Sequence, residues 1–340
     1  MKAQPVRMLD DYRGEPRDPR LAQMDALSPG RFRRVENLYP LPVLARKTII
    51  SFGCGGSRAF LEDMARSGVG SFILVDGDVV SDTNIGTQQV YISELGMNKV
   101  DALKRRILDI NPSARVIAVP RFLDEQFTDR EFESLVGSQL IHNPRDILIC
   151  GFTDDGRTAQ PRTANLALKY GTSYLSAQLY QEGLAAELYF CRPGVTKSCP
   201  RCAMTSRYEA YKQGYRNQVG SQDTPIFVTQ RLNATKGHIA MMLLLYKQAP
   251  GSRYHTLLDQ VADRNFVLIR ADPSAGSKLN LPLLDEAFLS AADLTCFDET
   301  LWVPQVPNHQ SNGYENCPLC GGTGDLAALR GHIPDSRVIA

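Results

Sequence analysis

Residues 47–99 read KTIISFGCGGSRAFLEDMARSGVGSFILVDGDVVSDTNIGTQQVYISELGMNK, and the architecture of the chain can be worked out from them. Lys47–Phe52 is a short apolar run rich in β-branched residues, the signature of a buried strand. Three glycines follow, Gly53, Gly55 and Gly56. Ser57–Ser67 then has helical spacing, with Phe60, Leu61, Met64 and Ala65 on one side, and Gly68 and Gly70 stop it. Ser71–Asp76 is a second apolar strand with an acidic end. Strand, glycine turn, helix and strand make a mononucleotide-binding β-α-β unit. Its glycines let the backbone approach a phosphate, and its helix N-terminus offers free N–H groups. Asp76 lies 23 residues after Gly53, near the ~20 expected of a ribose-binding carboxylate. Arg58 stands where the third glycine of G-x-G-x-x-G is usual, so the turn alone admits either a nicotinamide or an adenosine nucleotide.

Outward from this unit the alternation of helix and strand continues. Asn98–Ile110 is predicted as a helix, Val116–Val119 as a strand, Asp124–Val136 as a helix and Ile147–Cys150 as a buried strand. Gly151–Asp154 then falls at a strand's C-terminal end, where doubly wound sheets bind ligands. Asp154-Asp155 can cap the helix expected over Arg157–Tyr170, face a cation, or do both. Tyr174–Ala177, Ala186–Phe190 and Phe266–Ile269 are further strands, and Pro225–Gln248 contains a long helix. The expected fold is α/β: a doubly wound, mostly parallel sheet with a Rossmann-like nucleotide unit and a zinc-clipped C-terminal subdomain. Residues 1–46 form an arm of little periodicity, 47–270 the main domain, 271–316 an insertion containing the only tryptophan, Trp302, and 317–340 a cysteine knuckle and tail.

A net charge of +1 gives no bulk attraction to nucleic acid or to an anionic membrane. The most apolar run, Ile239–Tyr246, is too short to cross a bilayer. The N-terminus lacks the apolar core of a signal peptide, so a cytoplasmic location is expected. There, two C-x-x-C pairs, Cys199/Cys202 and Cys317/Cys320, favour a metal over disulfides. Four thiolates suit a tetrahedral, structural zinc with no open position for water. The competing assignment is two redox pairs, which would be expected at helix starts; neither pair precedes a clear amphipathic helix.

Several motifs fall in one order: Leu74-Val75-Asp76-Gly77-Asp78, Asn84, Gln88, Gly96-Met97-Asn98-Lys99, Ile110-Asn111-Pro112 and Thr153-Asp154-Asp155. Together they resemble the ThiF-type adenylyltransferases, which include ubiquitin-activating enzymes and activators of sulfur-carrier proteins. The resemblance covers about residues 45–250 and the C-terminal cysteine pair. It implies ATP bound through Gly53, Gly55, Gly56, Asp76, Asp78, Asn84, Gln88 and Lys99. Asp76 would hold the ribose, Asn84 and Lys99 the phosphates, and Asp154 would help hold Mg²⁺. It also implies zinc on Cys199, Cys202, Cys317 and Cys320. The activity implied is adenylation of the C-terminal carboxylate of a small ubiquitin-like or sulfur-carrier protein by a homodimer, with an N-terminal arginine (Arg31, Arg33 or Arg34) acting on the partner subunit's site. Two positions depart from the family pattern. Thr87 replaces a usual arginine, and Arg58 at the helix start is the candidate substitute and a third catalytic residue beside Lys99 and Asp154. These departures admit an alternative, a non-catalytic subunit that scaffolds the carrier or an active homologue. The segment after the first cysteine pair has no thiol, which leaves Cys191 and Cys296 as candidates to accept a thioester. Acidic neighbours make Cys296 a poor nucleophile, so activation is expected to stop at the adenylate or pass to a partner's thiol.

Overall fold

The computed structural model describes residues 18–154, 158–214, 223–288, 299–305, 317 and 319–333. Eight strands form one sheet: β1 Thr48–Phe52, β2 Ser71–Val75, β3 Arg115–Val119, β4 Ile147–Gly151, β5 Ser173–Leu179, β6 Ala185–Cys191, β7 Phe266–Arg270 and β8 Glu299–Val303. Their order is β3-β2-β1-β4-β5-β6-β7-β8. The first five run parallel, and β6, β7 and β8 add on antiparallel to their neighbours. Numbered by position, the helices of eight residues or more are α1 Pro19–Leu27, α2 Arg58–Arg66, α3 Lys99–Ile110, α4 Asp129–Val136, α5 Ala159–Tyr170, α6 Thr205–Lys212 and α7 Ile226–Leu245.

Every residue of β1, β2 and β4 is buried, as expected of strands covered on both faces. Alternate side chains serve two separate cores. Ile50, Phe52, Ile73 and Val75 pack with Phe132 and Val136 of α4 and Leu166 and Leu168 of α5. Ile49, Phe72 and Leu74 pack with Phe60 and Leu61 of α2, Val100 and Leu103 of α3, and the apolar length of α7. Full burial of Phe60 alone is worth about 1.5–3 kcal/mol. Helix α7 is buried nearly all round, from Ile239 to Leu245, because it crosses the sheet face between α2 and β5. The strand order turns back between β1 and β4, so the crevice of a doubly wound sheet opens at their C-terminal ends.

Three expectations change. The arm over 1–46 contains α1, a helix with no buried residue, capped by Asp18 accepting from the Arg20 amide at 2.9 Å. Without an apolar stripe it leaves no periodic signal. The helix expected from Asp124 begins at Asp129, where Thr128 and Glu131 form a reciprocal capping box. The segment read as an insertion contributes β8, which pairs with β7 from Phe266↔Val303 to Arg270↔Glu299 and continues the sheet.

Candidate active site

A cavity of about 410 Å³ sits at the C-terminal ends of β1, β2, β4 and β5. The glycine turn forms its floor. Gly53 has φ +90°, and a Cβ there would lie 2.4 Å from the Phe152 carbonyl oxygen, so only glycine lets the turn pass beneath the chain leaving β4. Asp76, just beyond β2, is aimed by two backbone donors: the Cys54 amide to Oδ2 at 2.7 Å and the Asp78 amide to Oδ1 at 2.9 Å. Lys99, the first residue of α3, lines the same cavity, and its Nζ lies 2.9 Å from Asp78 Oδ2. Asp154 enters from the loop after β4. Solvent reaches Asp154 through the cavity mouth, yet protein encloses it. That enclosure raises its carboxyl above the ordinary 3.8, Lys99 opposes the shift, and Asp78 and Asp76 add to it. Asp78 and Asp154 are hard oxygen donors converging on one space, a set that fits a divalent cation such as Mg²⁺. Gln88 lines the cavity against Gly55, and its buried Oε1 has no hydrogen-bond partner.

The sequence model of the ThiF family matches residues 41–246, and every residue lining the cavity falls within that span. The chain belongs to the ThiF family. Over 95 residues it is 42% identical to the tRNA threonylcarbamoyladenosine dehydratase of Bacillus subtilis (strain 168), covering 27% of this chain and 37% of that protein. Over 75 residues it is 33% identical to a probable molybdopterin-synthase adenylyltransferase of Porphyra purpurea, covering 22% of this chain and 20% of that one. The chain thus spans well under half the length of these curated relatives. Its fold is similar to that of E. coli MccB solved with MccA-N7isoASN, at a TM-score of 0.54 and 15% identity over 86% of this chain and 74% of that one. With succinimide, MccB gives a TM-score of 0.50 and 18% identity over 71% and 68%.

Not all the residues singled out by their ThiF spacing reach the cavity. Gly53, Gly55, Gly56, Asp76, Asp78, Gln88, Lys99 and Asp154 do. Asn84 does not: its Oδ1 accepts from the Ser81 amide at 3.0 Å and closes its own turn. Arg58 also turns away. It is 1% exposed, with Nε 3.2 Å from Glu62 Oε1 and Nη2 2.7 Å from Glu94 Oε1. A buried guanidinium must be paired, and Glu94 is in turn held by Arg106 at 2.9 Å. Burial works against charge on Glu94, but hydrogen bonds from Arg58 and Arg106 prevail and keep its carboxyl below the usual 4.5. Arg58 is therefore a framework residue and leaves the catalytic set. Thr87 lines the cavity in the place where an arginine is usual. Asp155 and Cys296 lie outside the described residues. Cys191 is fully buried in β6, its thiol pushed up to about 12 by burial, and cannot receive an acyl group there. Arg31 is bound to its own chain, 2.6 Å from Asp25, while Arg33 and Arg34 are exposed. Among the cavity residues that sequence reading missed are Arg121, Gln178 and Thr229, and above all Lys236 on α7.

The four knuckle cysteines meet in one cluster, packed with the core that holds α4 and α5. Their sulfurs all lie within 4.8 Å of one another, with Cys199–Cys317 at 3.7 Å and Cys202–Cys320 at 3.6 Å. Four thiolates ~2.3 Å from a tetrahedral centre require edges of about 3.8 Å, so the cluster fits zinc with little adjustment. Cys199 does cap a one-turn helix, Pro200–Ala203, with α6 just after it, but α6 has no distinct apolar face, in line with the expectation that no clear amphipathic helix follows the pair. The convergence of all four sulfurs also argues for metal over two separate dithiols.

Proposed function

We propose that this chain binds ATP with Mg²⁺ in the cavity and adenylates the C-terminal carboxylate of a small ubiquitin-like or sulfur-carrier protein, releasing pyrophosphate. The observation that carries this reading is the convergence of the glycine turn, Asp76, Lys99 and Asp154 on one cavity at the switch point of the sheet. Asp76, held by two amides, presents its remaining lone pairs to the ribose hydroxyls. Lys99 places a positive charge beside the phosphates. Asp78 and Asp154 would hold the cation, which would supply charge neutralisation for the departing pyrophosphate. A carboxylate oxygen attacks the α-phosphorus; that O–P bond forms as the bond to pyrophosphate breaks. Catalysis is mostly positioning and charge neutralisation. ATP–pyrophosphate exchange, measured with the small protein encoded beside this gene, tests the reading. ATP binding without exchange for any small carboxylate-ending partner would replace it with the alternative of a non-catalytic scaffold.

Two expectations follow for this site. Asp76→Ala should weaken ATP binding about 10-fold or more while leaving kcat at saturating ATP nearly unchanged, because a ribose contact is made equally in ground and transition states. An unaltered KM for ATP would remove Asp76 from the site. The working form is proposed to be a homodimer in the cytoplasm, with Arg33 or Arg34 reaching the partner subunit's cavity. A monomer by light scattering at micromolar concentration would sink that arrangement.

A further inference from the structure

Three cations line the cavity among the described residues: Lys99, Arg121 and Lys236. Two already have carboxylates. Lys99 is held by Asp78 at 2.9 Å, and Arg121 by Asp124 at 3.2 Å and Glu131 at 3.1 Å. Lys236 is 4% exposed and forms no ion pair with any described residue. Its Nζ donates to Asn233 Oδ1 at 3.0 Å and lies 4.3 Å from the centre of the Phe152 ring. Asn233 in turn donates through Nδ2 to the Gly56 carbonyl at 2.8 Å. This chain of bonds fastens the amine to the glycine turn, the part of the fold shaped for phosphate, from the α7 side.

We propose that Lys236 Nζ is a phosphate-binding group of this cavity, taking an anionic oxygen of the ATP phosphate chain from the α7 side. The inference rests on the ATP-binding reading above and adds a residue that the family's motifs do not mark. An unpaired buried ammonium costs free energy in an empty cavity. That cost appears as a lowered pKa: burial pushes the Lys236 amine down to about 7, offset in small part by Cys150. The charged and titratable groups around it are Cys150 in β4, Asp154 beyond β4, and Asp76, Asp78, Lys99 and Arg121 on the cavity lining; its α7 neighbour Asn233 does not titrate. The amine is thus largely neutral near pH 8 and takes one proton from solvent as the phosphate arrives.

The test uses the full chain with Mg-ATP and, separately, adenosine, which lacks phosphate. Lys236→Met keeps the side chain's length and apolar stem. It should weaken ATP binding about 10- to 100-fold and leave adenosine affinity unchanged. Calorimetric titration of the unaltered protein with Mg-ATP at pH 8, in two buffers of unlike ionisation enthalpy, should show a net uptake of protons that the variant lacks. That second measurement needs no variant to fold. Equal ATP affinity in Lys236→Met, equal losses for ATP and adenosine, or no proton uptake by the unaltered protein would each overturn the proposal. If the unaltered protein binds no ATP at all, the reading under Proposed function fails first. If it binds ATP and only the Lys236 results are negative, this inference alone fails.

Discussion

Replacing Lys99 or Asp154 with alanine is expected to lower carboxylate-dependent ATP–pyrophosphate exchange at least ~100-fold while leaving the fold intact. The loss follows from what each group faces. A single preorganised charge or donor in an enclosed site is commonly worth 10²–10³ in rate, roughly 3–4 kcal/mol. The tolerance follows from their surroundings. Among the described residues Lys99 pairs only with Asp78, whose side chain is 52% exposed and regains water when the lysine goes, and the Lys99 amide still donates to the Asp78 carbonyl at 2.9 Å. A pair so exposed on one side contributes about 0–1 kcal/mol to stability. For Asp154 the sign is the reverse of a stabilising group. Its folded-state pKa lies above the ordinary 3.8 because enclosure disfavours the anion, so at neutral pH its charge opposes folding. Asp154→Ala should therefore melt no lower than the unaltered protein. Exchange and thermal melting measured on the same preparations decide the matter. Full exchange in either variant would exclude that residue from catalysis, and a large fall in melting temperature would show that the loss of activity came from unfolding.

Stripping the metal should have the largest effect on stability. One Zn²⁺ per chain is expected, bound by Cys199, Cys202, Cys317 and Cys320. Structural zinc contributes its binding free energy directly to folding. The segment it clips is small: among the described residues after Cys317 only Cys320, Leu326 and Ile333 are buried apolar side chains, and the Gly331 amide donates to the Lys169 carbonyl at the end of α5. Without the metal, three side chains and a few hydrogen bonds do not hold it. Cys317→Ser, or a strong chelator, should lower the melting temperature by on the order of 10 °C and open residues 317–333 to protease. Elemental analysis showing no zinc in freshly purified protein would defeat this expectation, as would an unchanged melting temperature in Cys317→Ser.

The central β-α-β unit was legible because its strands are buried on both faces, so their apolar runs are uninterrupted, and because its turn needs glycine at Gly53. Asp76 and Lys99 stood out because motif spacing places both at ends of elements. Arg58 misled for a physical reason: spacing shows only that it begins a helix, and the carboxylate that pins it most closely, Glu94, lies 36 residues away. Asn84 likewise spends its side chain within its own turn. Lys236 precedes an apolar run, where a lysine carries no signal of a site. Only the packing of α7 across the sheet reveals that its amine ends in the cavity, 4.3 Å from Phe152. Strand β8 was obscured by the polar and proline-containing segments around it, since an edge strand keeps no fully buried run and its own residues are only partly covered.

The position of the second cysteine pair sets an order of events during synthesis. All the residues that line the cavity have been made once Lys236 is added, but Cys320 follows 84 residues later. At about 5–20 residues per second, that is an interval of roughly 4–17 s. During it the nascent chain can assemble the five parallel strands, α7 and then β7 beside β6, while Cys199 and Cys202 face no partners until the second pair is made. The nucleotide cavity is thus the first part of this protein able to mature, and metal capture the last. Zinc starvation would consequently leave chains whose cavity is built but whose clamp is open, a population that nucleotide could protect and proteases could clear.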